Sequence, residues 1–393
     1  MHRGLVALLG LTLFLALGAG VVALFGLPMR ALPATVGSWV GAVDDLATDP
    51  KRSEIFGSGG PRVVPFQILY PASGPGDPAR YVPDAQPLVT ALASRQGSMA
   101  RLALMQLGGL AAPWFKNSPP VQGEPFPVIL YLPGVTGYMQ MGSFQTTALV
   151  GQGYVVVTLN QPGVVAALLL PGGSTIEGLS RDQAYRLIAP SYEPSGTPLP
   201  APFATALAPQ TSIVPYFAAD IGPVLDRLSM INTDPAHPLH GLLDLTRVGV
   251  MGMSLGAINA AQACATEARI DACLMMDAPV PLTVATTGLR QQALWISRPA
   301  ADQRAERAAS GGWPEAEIAA QARSIDQAVS HSDHAELLLV HGFFHVDFTD
   351  LPAIQPVFAW AGQSGPLGIA QAHLRINDLT AAFFAKALGK AGQ

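Results

Sequence analysis

The stretch of residues 247–257 reads Arg247-Val248-Gly249-Val250-Met251-Gly252-Met253-Ser254-Leu255-Gly256-Ala257. It begins as a short apolar run typical of a buried strand and continues into an alanine-rich run typical of a helix. Glycines stand two residues before and two residues after Ser254, which is the spacing of a strained turn that exposes a serine hydroxyl. The sequence therefore predicts Ser254 as a nucleophile on an elbow formed with Gly252 and Gly256; a plain structural turn is the alternative.

A serine nucleophile needs a base and a carboxylate that orients the base, in the chain order Ser, Asp, His for this type of turn. Asp277 directly follows the apolar run Leu274-Met275-Met276. An acid at the carboxyl edge of a sheet is costly unless it is used or solvated. Asp277 is thus the predicted orienting carboxylate, with a capping role at a turn or helix as the alternative.

Two histidines compete for the role of base after the last predicted strand, Glu336–Val340. His341 closes that strand, whereas His345 lies in the loop beyond it, where a base can approach the nucleophile. We predict His345 as the base and keep His341 as the alternative. Together with His331 and His334 they allow a zinc site, but ordinary surface histidines are favoured in so polar a loop, so no metal is predicted.

The tetrahedral intermediate of acyl transfer needs two backbone N–H donors, an oxyanion hole. The residue after the nucleophile, Leu255, supplies the first. Pro133-Gly134-Val135-Thr136-Gly137 follows the apolar run Val128–Leu132 and forms a flexible corner. We predict the Val135 N–H as the second donor; a glycine-rich turn without this role is the alternative.

Outward from the elbow, short apolar runs alternate with helical patterns, as in a doubly wound, mostly parallel sheet of the α/β class. The predicted strands are Val63–Tyr70, Val128–Leu132, Tyr154–Leu159, Arg247–Met251, Ala272–Met276, Ala293–Ser297 and Glu336–Val340. The predicted helices are Ser143–Gly151, Ile213–Met230, Leu255–Arg269, Pro314–Ser330 and Ile369–Leu388.

Two segments fit neither pattern: the apolar stretch Leu102–Phe115, and a Pro/Gly/Ser-rich insertion at about 162–210. Long insertions in compact domains are usually lids or binding loops. Within the insertion, Val164–Leu170 either contacts an acyl chain as a lid or is buried against the sheet. We take residues 31–393 as one catalytic domain that carries this lid-like insertion.

Residues 1–30 differ from the rest, because Gly4–Met29 contains no charged residue. Gly4–Leu27 would span about 36 Å as a helix, against roughly 30 Å of bilayer hydrocarbon. We predict an uncleaved membrane anchor at residues 4–27, with a signal peptide cleaved after Gly18 or Gly20 as the alternative. Either interpretation exports the catalytic domain, to the periplasm or the cell exterior.

The composition excludes several classes of protein. Of the 393 residues 12% are charged and 49% are hydrophobic, with a formal net charge of −5. This excludes disorder, and the lack of any basic run excludes nucleic acid as a partner. The only two cysteines, Cys264 and Cys273, lack zinc-finger or CxxC spacing. They form either one disulfide or two separately buried thiols, and the sequence slightly favours the thiols.

Taken together, the motifs resemble the α/β-hydrolases of the plasma platelet-activating factor acetylhydrolase type and their bacterial relatives. The resemblance spans about residues 63–390. It implies a triad of Ser254, Asp277 and His345, an oxyanion hole at Val135 and Leu255, and no cofactor. It rests on Ile68-Leu69-Tyr70-Pro71, Leu132-Pro133-Gly134, Gly153-Tyr154-Val155-Val156-Val157 with Asn160, Gly252-Met253-Ser254-Leu255-Gly256, Met276-Asp277-Ala278, Gly342-Phe343-Phe344-His345 with Phe348 and Asp350, and Phe383-Phe384.

Two departures from that family predict a reshaped pocket: Pro279 stands where mammalian members carry tryptophan, and Gln161 stands where many relatives carry histidine. The Pro133-Gly134 corner also resembles cutinase-like polyester hydrolases. The resulting hypothesis is a serine esterase that acts on short acyl esters of phospholipids. Polyester or small-ester hydrolysis, and a catalytically inactive membrane-tethered binding protein, are the alternatives.

Overall fold

The computed structural model describes residues 22, 26–33, 37–57, 59–170, 172–192, 199–200, 203–208 and 211–389. Its strands are β1 Trp39–Ser53, β2 Pro61–Ala72, β3 Asp77–Arg80, β4 Ala111–Lys116, β5 Phe126–Leu132, β6 Val155–Leu159, β7 Ala167–Leu169, β8 Thr175–Glu177, β9 Leu243–Met253, β10 Ala272–Met276, β11 Gln292–Ser297 and β12 Ala335–Leu339.

The helices of the described residues pack mainly around these strands. They are α1 Ala85–Gln96, α2 Ser98–Leu104, α3 Ser143–Gly151, α4 Arg181–Ile188, α5 Phe203–Ala206, α6 Val214–Ala218, α7 Ile221–Thr233, α8 Leu255–Thr266, α9 Leu282–Thr287, α10 Ala300–Ser310, α11 Glu315–His331, α12 Leu351–Ile354, α13 Val357–Trp360 and α14 Ile369–Leu388. Short 3₁₀ turns lie at Leu107–Gly109, Ala189–Ser191 and His345–Phe348.

Ten strands form one sheet in the order β12-β11-β10-β9-β5-β6-β2-β1-β4-β3. The six strands from β12 to β6 are parallel, and β2 joins β6 antiparallel. All seven predicted strands are present, which confirms the α/β class with a mostly parallel sheet. Since the carboxyl ends of parallel strands share one edge, the loops after β5, β9, β10 and β11 meet there.

The strands of the centre are apolar because both faces are covered. In β5 every residue is buried: Val128 and Leu130 face the core beneath α7 and α8, while Ile129 and Tyr131 face the core beneath α3 and α14. This period of two fixes the register of the strand that carries the predicted oxyanion loop at its end.

The structure departs from the predicted elements in identifiable ways. The predicted helix Ile213–Met230 is divided into α6 and α7, because Pro223 has no N–H to donate to the carbonyl four residues earlier. The apolar stretch Leu102–Phe115, predicted to hold no strand, ends in β4. The long strand β1 is antiparallel to β2 and was not predicted, because its polar residues obscure the apolar pattern.

The two cysteines form a disulfide that joins the end of α8 to β10. Both residues are buried, Cys264 at 3% and Cys273 at 0% exposure. The sequence-based preference for two separate thiols was therefore wrong. The two positions meet because α8 returns antiparallel to the strand that follows it, which brings residues nine apart in sequence together.

The predicted anchor at residues 4–27 lies almost entirely outside the described residues, of which only 22, 26 and 27 belong to it. Across the described ranges, no helix combines the length and the apolar character needed to cross a membrane. The described end of the segment is tied to the fold, since the Leu27 N–H donates to the Leu102 carbonyl at 2.7 Å.

Candidate active site

Ser254 occupies a strained turn between β9 and α8. Its backbone has φ 57° and ψ −124°, a region that residues with a side chain rarely adopt. A Cβ at Gly252 would lie 2.2 Å from the Gly256 carbonyl oxygen, and one at Gly256 would lie 2.0 Å from the Leu132 carbonyl oxygen. Both glycines are thus required by the close approach of backbones, and the turn raises Ser254 at the carboxyl edge of the sheet.

Asp277 and His345 meet at the same edge. Asp277 follows β10 with φ 50°, and its N–H donates to the Ile296 carbonyl at 2.8 Å. His345 lies in the 3₁₀ turn after β12, and its Nδ1 is 2.6 Å from Asp277 Oδ2. This contact fixes the ring of His345, leaving Nε2 as the nitrogen that can accept a proton.

The Asp277 carboxylate is kept charged in spite of its burial. Burial by itself would raise its pKa, but the adjacent Arg298 cation and the hydrogen bond from His345 outweigh that effect and hold the pKa well below its usual range. The Arg298 Nε donates to Asp277 Oδ2 at 2.8 Å. An anionic Asp277 can therefore orient a neutral imidazole and stabilise the imidazolium that forms after proton transfer.

The predicted oxyanion donors flank the nucleophile. Leu255 is the first residue of α8, and Val135 lies in the loop after β5. Within the described chain, neither N–H donates to another group. A Cβ added to Gly134 would lie 3.1 Å from the Ser254 Cβ, so this loop passes directly over the serine. Two unpaired N–H groups beside one hydroxyl suit the binding of a developing oxyanion.

A cavity of about 560 Å³ opens at this edge of the sheet. Ser254, Val135 and His345 all line it. Among the described residues no hydrogen bond joins the Ser254 hydroxyl to His345. Such bonds often tighten only when substrate binds. Two further walls complete the cavity. An apolar wall comes from α1, α2, α12 and α13, and a polar and aromatic wall comes from α4 and the loop before α11.

Trp313 closes the polar and aromatic wall next to the predicted base. Its ring packs edge-on against His345, with 4.6 Å between ring centroids. Its indole N–H donates to the Tyr185 hydroxyl at 2.6 Å, which links the loop before α11 to α4 of the insertion. The Arg181 guanidinium lies 5.4 Å from the Trp313 ring and 5.5 Å from the Tyr185 ring. None of these three residues could be identified from the sequence, because no local pattern connects them.

The insertion contributes to the cavity, but not through Val164–Leu170, the segment for which a lid and burial were both left open. Val164–Leu168 is buried, and none of Val164–Leu170 lines the cavity. Ser180–Asp182 and Tyr185 line it instead. Val165 and Leu168 fill a small core with Ile176 of the β7–β8 hairpin, while Val164 and Ala166 join the two large cores. Burial removes more apolar surface from water than the open cavity would.

The two departures from the acetylhydrolase pattern lie outside the cavity lining. Gln161 is fully buried and donates through Nε2 to the Phe217 carbonyl at 2.8 Å and to Asp220 Oδ2 at 2.9 Å. Pro279 is half-buried beyond Asp277. Neither residue lines the cavity, whose walls are formed by other residues. That the pocket is reshaped relative to the acetylhydrolases stays a prediction.

The competing histidines are placed apart from the cavity. His341 is exposed and does not line it. His331 is the last residue of α11, and its Nδ1 lies 2.7 Å from the Ala285 carbonyl oxygen. Over the part of the chain that the structure describes, no group of three or more His, Cys, Asp or Glu side chains is arranged to hold a metal ion.

No family model and no curated protein matches this chain. Among solved structures, a ferulic acid esterase from Streptomyces cinnamoneus has 21% sequence identity and a TM-score of 0.67, over 91% of this chain and 92% of that chain. The chain has the α/β-hydrolase fold. A second structure, m3DLH, aligns at 14% identity over 89% of this chain and 99% of that chain, with a TM-score of 0.46. The resemblance to the acetylhydrolases remains a hypothesis.

Proposed function

We propose that this protein is a serine hydrolase of carboxylic esters. The observation that carries the proposal is the hydrogen bond between His345 Nδ1 and Asp277 Oδ2, in the cavity where Ser254 stands on a strained turn. Strain at a non-glycine residue persists where the surrounding structure imposes it, and such positions cluster at reactive sites. Among the described non-glycine residues with positive φ, Thr136, Ser254 and Asp277 all belong to this region.

The mechanism that follows is acyl transfer. His345 Nε2 takes the proton of Ser254 as its oxygen bonds to the ester carbonyl carbon, and the Val135 and Leu255 N–H groups hold the oxyanion. His345 then gives the proton to the departing alcohol, which leaves an acyl group on Ser254. A water molecule then gives a proton to His345 as its oxygen attacks the acyl carbon. When the bond to Ser254 breaks, His345 returns that proton to the serine oxygen and the acid leaves. Asp277 keeps the imidazole oriented throughout.

For the substrate we propose short acyl esters of phospholipids. The apolar wall, with Leu92, Leu104, Leu351 and Phe358, suits an acyl chain. The volume of about 560 Å³ lies within the usual range of small-ligand sites. The contact between Trp313 and Tyr185 bridges one side of the site, which disfavours a polymer strand lying across it. The resemblance to acetylhydrolases points to the same substrates.

We further propose export and retention at a membrane by residues 4–27. A disulfide between Cys264 and Cys273 is typical of oxidising compartments. The Leu27 N–H donates to the Leu102 carbonyl, and the Arg30 N–H donates to the Ile354 carbonyl at 2.7 Å. Because α2 and α12 also supply cavity-lining residues, an anchor that ends at Leu27 would hold the cavity close to the bilayer.

Labelling and substrate preference test the enzymatic proposal. A fluorophosphonate probe should label the full-length protein in detergent, because only an activated serine reacts. Acetyl and butyryl esters should be hydrolysed fastest, short-chain phosphatidylcholine should be accepted, and long-chain phosphatidylcholine should react roughly tenfold more slowly or worse. Absence of labelling would favour the inactive binding protein. Rapid hydrolysis of polyester film or feruloyl esters, with phospholipid inert, would replace the lipid substrate.

Export and anchoring have a separate test. A reporter that is active only outside the cytoplasm, fused after Gln393, should be active, and the protein should stay in the membrane fraction after alkaline extraction. Edman sequencing should begin at or near Met1. A start near residue 19 or 21 with release from the membrane would establish a cleaved signal instead. An inactive reporter would contradict export itself.

A further inference from the structure

Four residues at the candidate site form a closed hydrogen-bonded circuit, here called the charged circuit: Asp277, Arg298, Glu306 and His345. Asp277 Oδ2 accepts from His345 Nδ1 at 2.6 Å and from Arg298 Nε at 2.8 Å. Arg298 Nη1 donates to Glu306 Oε2, and Glu306 Oε1 accepts from the His345 backbone N–H at 3.1 Å. The circuit therefore holds His345 at two points, its ring nitrogen and its backbone.

The members come from separate elements that only the fold brings together. In the parallel pair β10–β11, Met276 lies beside Ile296, so Asp277 and Arg298 emerge from neighbouring strand ends. Glu306 is carried on α10, directly after Arg298 in the chain. Arg298 is 2% exposed, Glu306 6% and Asp277 4%. Burial of three charges at this density is costly unless each one is paired, as it is here.

The charges of this four-residue circuit explain why it contains both Arg298 and Glu306. An orienting aspartate alone would present one negative charge to the imidazolium, but Arg298 neutralises Asp277. Glu306 supplies the missing charge, so the three groups together carry −1 and become balanced when His345 is protonated. Other charged groups nearby are engaged elsewhere: Asp302 accepts from the Gly342 N–H, and Asp347 accepts from the Phe344 and Gly365 N–H groups. The Arg181 guanidinium packs against Trp313, which contacts His345.

We propose that Arg298 and Glu306 are positioning residues for ester hydrolysis, which act through Asp277 and His345 and set the net charge that faces the imidazolium. This inference rests on the proposed function. Arg298 fixes the Asp277 carboxylate, which orients the His345 imidazole. Glu306 fixes the backbone of the loop that carries His345. Neither role follows from the Ser-His-Asp arrangement alone, in which the aspartate needs no cation.

Rates measured on variants test the positioning role. Arg298→Leu and Glu306→Gln should each lower kcat about ten- to hundredfold with KM changed less than about threefold, because the misplaced groups act mainly in the transition state. Arg298→Lys keeps the charge and should restore part of the loss. Glu306→Gln keeps an oxygen for the His345 N–H and is the milder change, so it carries the test if Arg298→Leu does not fold.

The pH profile separates this role from a merely structural one. With Arg298→Leu, His345 faces two uncompensated carboxylates, so the acidic limb of kcat/KM should move to higher pH by about one unit. With Glu306→Gln the negative charge is lost, and the limb should move to lower pH by a similar amount. The double variant Arg298→Leu/Glu306→Gln carries −1 again. Its limb should return close to that of the unaltered protein, although kcat stays low.

The outcomes are distinguishable. If the unaltered protein neither hydrolyses esters nor reacts with fluorophosphonate, the proposed function fails, and the inference fails with it. If the unaltered protein is active while both single variants retain kcat within twofold, only the inference is overturned. Limbs that move in the same direction for both variants, or a Glu306→Gln limb that does not move, overturn the charge argument. Circular dichroism and unfolding curves identify any variant whose loss reflects misfolding.

Discussion

Ser254→Ala is expected to lower the turnover of a short-chain ester by about four to six orders of magnitude. Alanine has the same Cβ as serine, so the strained turn at φ 57° keeps its shape and only the reacting oxygen is lost. His345→Ala should reduce turnover by a similar factor, because nucleophile and base act as one unit. Initial rates with p-nitrophenyl butyrate, together with active-site titration, measure both effects.

Matched controls accompany these variants. His341→Ala removes an exposed histidine outside the cavity, and Ser330→Ala removes an exposed hydroxyl on α11. Both should retain most of the activity, and EDTA should have no effect, because the proposed chemistry uses no metal. An inactive His341→Ala together with an active His345→Ala would show that the base is misassigned. Full activity of Ser254→Ala would exclude the serine mechanism.

Asp220→Ala is expected to cost about 3–5 kcal/mol of the free energy of unfolding, although it lies outside the cavity lining. Asp220 is fully buried and binds the fully buried Arg62 through both oxygens, at 2.7 and 3.0 Å. It also accepts from Arg52 at 2.9 Å and from Gln161 at 2.9 Å. Its removal would leave two guanidinium groups with Glu54 as the remaining carboxylate partner of Arg62. Arg52 keeps its ion pair with Asp49. The cost comes from the buried Arg62 guanidinium, whose Nε loses its acceptor and whose Nη2 keeps only the Pro162 carbonyl.

The helix that begins directly after Asp220 offers a matched control. Asp226 on α7 pairs with Arg269 at 2.6 Å, but its side chain is 71% exposed. Asp226→Ala should change the free energy of unfolding by less than about 1 kcal/mol, because water solvates both charges. Urea denaturation followed by circular dichroism compares the two variants. Equal losses, or no loss for Asp220→Ala, would contradict the view that burial of the Arg62 network determines its contribution.

Parts of the site with a local signal were within reach of the sequence. The elbow around Ser254 combines a strand, two glycines and a helix within eleven residues, and those steric demands leave a pattern in the chain. Asp277 and His345 each follow an apolar strand, so their place at the carboxyl edge could be predicted from strand order. Strands buried on both faces were predicted well for the same reason, since burial requires continuous apolar runs.

Other parts carry only a weak local signal. Arg298 follows a predicted strand at the same edge as Asp277, and that position was the one available hint of its role. Glu306 and Trp313 read as ordinary helix and loop residues. Their contacts with His345 depend on how α10 and the loop before α11 fold back over the sheet. A single sequence does not show which charged residues pair with one another, so a buried glutamate cannot be told from a solvated one.

The α/β class, the order of the central strands along the chain and the places of Ser254, Asp277 and His345 at strand ends could be predicted from the chain alone, because each depends on short-range sterics or on the burial of continuous apolar runs. The catalytic roles of these three residues stay a prediction. Three features required the folded chain: the walls around Ser254, the cation that neutralises Asp277 and the pairing of Cys264 with Cys273. Such contacts join positions on different elements, and their energies come from desolvation and charge pairing. Those energies exist only once the chain has excluded water from around them.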